Sequence, residues 1–125
     1  MAYNILVVDD SETVRAVIAK AIEMSGVAVK TLLTAANGQD ALGILGKEWV
    51  DLVFADINMP IMGGVEMVRR MKADDNMKDI PVVIVSTEGS ATRIKSLMES
   101  GIRDFLRKPF TPEALKAIID EILGK

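Results

Sequence analysis

Six side chains of the 125-residue sequence are placed where they could do chemistry together: Asp9, Asp10, Asp56, Ser86, Thr87 and Lys108. Each stands at or just past the end of a short segment suited to a β-strand, and in an open α/β sheet ligands bind beyond the carboxyl ends of the strands. The six therefore converge on one edge. Three carboxylates against one ammonium leave a local charge of about −2, which would repel itself and raise a carboxyl pKa unless a cation sat there. With only oxygen ligands on offer, the fitting cofactor is Mg²⁺, with Mn²⁺ able to take its place. Carboxylates, a hard metal, hydroxyls and a lysine together point to phosphoryl transfer.

A carboxylate can itself take the phosphoryl group, with no need of His or Cys. Asp56 suits that role. It stands alone at a strand end, before the Asn58-Met59-Pro60-Ile61-Met62-Gly63-Gly64 loop, whose glycines let the backbone come close to a ligand. The Asp9-Asp10 pair is better suited to holding metal. Lys108 can neutralise a phosphoryl oxygen and the Ser86 hydroxyl can donate to another. Taken singly, Asp9 or Asp10 would serve equally as a cap for the next helix; the convergence of all six carries the reading.

The composition narrows the field further. There is no Cys and no His, which removes disulfides, thiolate metal sites, Ser-His and Cys nucleophile machinery and imidazole bases. A net charge of −3 argues against direct nucleic-acid binding and against an anionic membrane surface. The N-terminus lacks a basic region and a long apolar run, so no signal peptide is expected. No apolar stretch approaches the ~20 residues that span a bilayer. A cytoplasmic protein without membrane insertion is the expectation, organised as one domain over residues 1–125.

The elements that must position these groups are legible as an alternation. Residues 5–8, 52–55 and 82–85 are four-residue apolar runs rich in β-branched side chains, the pattern of central strands covered on both faces. Residues 30–35 and 104–106 suit edge or near-edge strands. Between them, Val14, Val17, Ile18, Ala21 and Ile22 fall on one helix face ended by Ser25-Gly26, and Ile94, Leu97 and Met98 precede Ser100-Gly101. Leu115, Ile118, Ile119, Ile122 and Leu123 form a last stripe behind Thr111-Pro112-Glu113, with Thr as cap and Pro at the first helical position. Helices are also expected over about 38–45 and 65–72. The order is β-α repeated five times, an α/β domain with a parallel sheet. Most of the eight methionines are expected to fill the core rather than to form a binding surface.

With these residues in place, the sequence resembles the response-regulator receiver domains of the chemotaxis (CheY) type along essentially its whole length. The matching pieces are Val7-Val8-Asp9-Asp10, Asp56 followed by Asn58-Met59-Pro60, Val85-Ser86-Thr87-Glu88 and Lys108-Pro109-Phe110. Ser86 stands 30 residues after Asp56 and Lys108 22 after Ser86. The resemblance implies a flavodoxin-like, doubly wound, five-stranded parallel sheet of order 2-1-3-4-5 with five helices. It implies Asp56 as phosphoacceptor, with Asp10, Asp56 and the Asn58 backbone carbonyl holding Mg²⁺ and Asp9 acting through water. Lys108 would pair with the acceptor. Ser86 and Phe105 would be the switch pair, altering the surface of the fourth helix, fifth strand and fifth helix where partners dock. Phe105 also suits a plain core position of an edge strand. Asn58 and Glu88 would tune dephosphorylation, and Glu88 equally suits a solvated acid. Where the family often has Asp or Asn before glycine, Gly63-Gly64 is expected to loosen the loop.

The implied function is a stand-alone phosphorylation switch that takes a phosphoryl group from a sensor histidine kinase and hydrolyses it itself. The chain ends just after its last expected helix, so no output domain is expected and output would be by protein binding, as a monomer or a phosphorylation-dependent dimer. Two other readings compete. An aspartate-nucleophile phosphatase would use the same groups, but the usual Asp-x-Asp-x-Thr is absent from Asp9-Asp10-Ser11-Glu12-Thr13 and no cap segment is inserted. A phosphorylation-independent binding module would not need the complete acid set with Lys108.

Overall fold

The computed structural model of the chain describes residues 2–87 and 90–124. Glu88 lies outside the described residues. Five strands, β1 (Tyr3–Val8), β2 (Val29–Ala35), β3 (Leu52–Ala55), β4 (Val82–Ser86) and β5 (Asp104–Arg107), alternate with five helices. These are α1 (Glu12–Ser25), α2 (Gly38–Leu45), α3 (Gly64–Lys72), α4 (Ala91–Glu99) and α5 (Pro112–Ile119). The strands form one sheet in the order β2-β1-β3-β4-β5, all pairs parallel. That is the expected doubly wound topology. The three apolar runs are its central strands and are buried throughout, and the two mixed segments are its edges.

Alternate residues of each strand serve opposite cores, as the two-residue strand period requires. Leu6, Val8, Val53, Ala55, Val82 and Ile84 face α2, α3 and α4, where Ala41, Met67, Met71 and Leu97 cover them. Ile5, Val7, Leu52, Phe54, Val83 and Val85 face α1 and α5, meeting Ile18, Ile22, Leu115 and Ile119. At ~1.5–3 kcal/mol for each large apolar side chain removed from water, these two layers dominate what holds the fold together. Side-chain caps start four helices: Ser11, Asn37, Ser90 and Thr111 accept from Val14, Asp40, Arg93 and Ala114 backbone N–H groups. Gly26, at φ 82°, ends α1 in the left-handed conformation that glycine adopts without strain.

Three local expectations change. Ser86 is the last residue of β4 rather than the first beyond it. Val17 is 55% exposed and Met24 nearby 63%, because Ile18, Ala21 and Ile22 already cover the sheet; both border a groove of about 660 Å³ closed on the other side by Lys108, Pro109, Phe110 and Pro112. The last helix does not run regularly to Leu123: it passes into a π-helical turn over Asp120–Gly124. That turn is tied down where the Tyr3 hydroxyl donates to the Leu123 carbonyl at 3.2 Å, and Ile122 and Leu123 still pack on the α1–α5 core. Of the seven described methionines, Met67 and Met71 are buried and Met59, Met62 and Met77 pack against the core, while Met24 and Met98 are exposed. Among the described residues, no helix is long and apolar enough to cross a membrane.

Candidate functional site

Strand register builds the site. Val8 and Ala55 are paired across β1 and β3, so Asp9 and Asp56 leave the sheet side by side. Each is pinned by the ladder: Asp9 N–H donates to the Ala35 carbonyl and Asp56 N–H to the Val8 carbonyl, both at 3.1 Å. On the far side Ser86 pairs with Arg107, and Lys108 N–H donates to the Ser86 carbonyl at 2.8 Å. The lysine is thereby carried to the same edge. Carboxylate oxygens of Asp9, Asp10 and Asp56 lie within 4.8 Å of one another. Lys108 Nζ stands 3.6 Å from Asp9 Oδ2 and 3.7 Å from Asp56 Oδ2.

The three acids are not equivalent. Asp9 is only 2% exposed; its Oδ1 accepts from Ser11 N–H at 2.9 Å, while its buried Oδ2 accepts no hydrogen bond and faces Lys108. Asp10 is exposed and Asp56 half-buried. Asp56 Oδ1 accepts from its neighbour Ile57 N–H at 2.7 Å. Burial pushes the Asp56 carboxyl above its usual range; the Ile57 N–H and Lys108 pull it down, and the like charge of Asp9 pushes it up again. Three carboxylates with a single lysine among them leave room for more positive charge. A buried carboxylate oxygen without a donor beside two further acids fits a hard divalent cation.

The loop after Asp56 is held close rather than loosened. A Cβ on Gly64 would stand 2.3 Å from the Asp56 carbonyl oxygen, and one on Gly63 would stand 2.6 Å from that of Ile57. Gly64 N–H donates to the Ile57 carbonyl at 2.8 Å, so the Gly63-Gly64 pair is the point where the loop folds back onto the strand end. Asn58 is exposed at the start of that loop. Ser86 is buried and Thr87 exposed, which puts only Ser86 inside the edge. Phe105 pairs with Ile84 and is half-buried against the α2–α4 core.

One contact lies outside the six residues singled out by type and spacing. Arg15 of α1 donates from Nη1 to the Asp9 carbonyl at 2.6 Å, tying the helix to the turn that carries both acids. Its signal in the sequence was a basic residue within the first turns of a helix, where the macrodipole disfavours positive charge.

The profile of the response regulator receiver domain matches residues 5–120. The chain belongs to the response regulator receiver family. This receiver is 36% identical over 122 residues to a chemotaxis protein CheY homolog of Campylobacter jejuni, covering 97% of this chain and 92% of that one. It is 37% identical over 123 residues to the two-component response regulator ORR5 of rice (Oryza sativa), covering 98% and 90%. Among solved structures, the chemotaxis protein CheY4 of Vibrio cholerae superposes with a TM-score of 0.86 at 30% identity, over 98% of this receiver and all of that chain.

Proposed function

We propose that this receiver, acting as a single domain over residues 1–125, is a phosphorylation switch of a two-component pathway, with Asp56 as its phosphoacceptor. One observation carries the reading: Lys108 Nζ sits between the buried Asp9 and the half-open Asp56, at 3.6 and 3.7 Å. A lysine so placed can follow a phosphoryl oxygen when Asp56 acquires one. An Asp56 oxygen attacks the phosphorus of a phosphohistidine on a sensor histidine kinase. The P–O bond forms as the P–N bond breaks, and the electron pair stays on the imidazole nitrogen, which takes up a proton. Later a water oxygen attacks the phosphorus, the bond to Asp56 breaks with its electrons returned to the carboxylate, and inorganic phosphate leaves. The absence of His from the chain fits a donor imidazole supplied by the partner.

Asp10, Asp56 and the Asn58 carbonyl would hold Mg²⁺, or Mn²⁺, with Asp9 reaching it through water. The ion, when bound, neutralises phosphoryl oxygens and holds them in place. Ser86 donates to a phosphoryl oxygen from inside the edge, and Phe105 follows it, altering the α4-β5-α5 surface that meets a downstream protein. Asn58 and Glu88 set the rate of hydrolysis. The apolar groove between α1 and Phe110 opens beside Lys108 and supplies a surface on which the kinase's phosphohistidine helix can seat. A chemotaxis-type pathway is supported by the Campylobacter and Vibrio relatives, while the equal likeness to the rice regulator shows that identity alone does not choose the pathway. The reading places the protein in the cytoplasm, where a kinase forms its phosphohistidine.

Phosphate release from phosphoramidate and from p-nitrophenyl phosphate tests the proposal. Phosphoramidate in Mg²⁺ should drive a cycle that needs Asp56, and the ester should stay intact. Rapid multiple turnover of the ester would instead make the protein a phosphatase.

A further inference from the structure

At the pole opposite the aspartates, the segments leading into β3 and β4 enclose a hollow of about 580 Å³, within the range of ligand sites. Trp49, the chain's single tryptophan, lines it and is 78% exposed. Tryptophan ordinarily hides most of its large apolar surface. This ring is also fixed. Its Nε1 donates to Asp51 Oδ1 at 3.0 Å, Asp51 Oδ2 accepts from Asn4 N–H at 2.8 Å, and Asn4 Nδ2 donates back to the Trp49 carbonyl at 2.9 Å. The indole is thus ordered before a ligand arrives, which removes part of the entropic cost of binding.

Around the ring, Ile80 and Pro81 add apolar wall, and Glu48, Asp51 and Asp79 bring three carboxylates against one cation, Lys47. The lining therefore carries a net charge of about −2, against −3 for the whole chain. An aromatic face held beside carboxylates is complementary to a guanidinium, which stacks on the ring and forks onto the acids at once. The hollow is several times larger than one guanidinium, so the matching occupant is a stretch of chain. We propose that the Trp49 hollow docks an arginine-bearing segment of a protein partner. Because it lies at the other end of the strands from Asp56, the partner is held in both phosphorylation states, and the inference stands apart from the proposed phosphoryl chemistry.

The lone tryptophan makes its own probe. Titration of the intact chain with the peptide acetyl-Gly-Arg-Gly-Arg-Gly-amide at physiological salt, followed by tryptophan emission, should give a saturable 1:1 change. The lysine counterpart should bind at least about fivefold more weakly. The doubly substituted Glu48→Gln/Asp79→Asn chain, altered only at exposed positions, should lose about tenfold in affinity, and Trp49→Ala, followed by calorimetry, should lose as much. Asp56→Asn should bind like the parent. No saturable change, or equal binding by the double variant, overturns the proposal. So does choline binding as tightly as the peptide, which makes the site one for small organic cations, or an emission change with protein concentration alone, which makes it a contact between copies.

Discussion

Asp56 is the residue on which charge, burial and chemistry meet. The folded state holds its proton more tightly than the unfolded chain does, because burial penalises the anion. The group therefore favours the fold below about 3.9, the ordinary value of an aspartate, and that contribution is lost as pH rises through the raised value. At neutral pH the ionised carboxylate is a cost. In metal-free buffer, Asp56→Asn should melt above the parent at pH 7, with the gap closing as pH falls below the ordinary carboxylate value. A variant that melts lower at pH 7 would show that Lys108 and the Ile57 N–H outweigh burial. Ile61, in the same loop, has φ 68° and is 77% exposed. A β-branched residue is strained there, whereas asparagine tolerates that region. Ile61→Asn should raise the unfolding free energy by about 0.5–1 kcal/mol, read as a higher urea midpoint at unchanged slope; a lower midpoint would mean that the Ile61 side chain makes stabilising contacts. Residue type and spacing were enough to find the acids and Lys108. Arg15 left only a basic residue near a helix start as its signal, and the strain at Ile61 was not legible, because a side-chain-to-backbone bond and a backbone angle leave little trace in composition.

At the level of elements, parallel register converts sequence into geometry. Four-residue runs without polar alternation were readable as central strands because burial on both faces leaves no polar positions. The π-helical turn at Asp120–Gly124 was not readable, since its apolar residues keep helical spacing, and the Tyr3 hydroxyl that meets the Leu123 carbonyl there comes from the other end of the chain. α4 differs from the other four helices in burying a single residue, Leu97; α1 and α2 bury three each, α3 four and α5 two. An element so lightly packed opens at low free-energy cost, which suits the proposed α4-β5-α5 switching surface. Amide exchange should show α4 less protected than α1, and beryllofluoride with Mg²⁺ should alter exchange at α4 and β5 more than at α1. Leu97→Ala should cost about 2–4 kcal/mol, read from denaturant unfolding; a change below ~1 kcal/mol would mean that α4 is held by other contacts.

For the whole molecule, the doubly wound sheet brings Asp9, Asp10, Asp56, Ser86 and Lys108 to one pole and leaves Trp49 at the other. A net charge of −3 conceals this distribution, since it sums over both poles. The ionised Asp56 carboxylate is a cost at neutral pH and gains from a cation, so Mg²⁺ should stabilise the parent by ~2.7 kcal/mol at a hundred times its dissociation constant. Scanning calorimetry of the parent and Asp10→Asn chains checks this; equal gains in both would place the ion elsewhere. The central claim, that Asp56 is the phosphoacceptor, meets its most direct test in intact-mass measurement after treatment with phosphoramidate and Mg²⁺. A single addition of ~80 Da is expected, mapped by peptide fragmentation to Asp56 and missing from Asp56→Asn. An unmodified parent chain, or the same addition on the variant, would contradict the account.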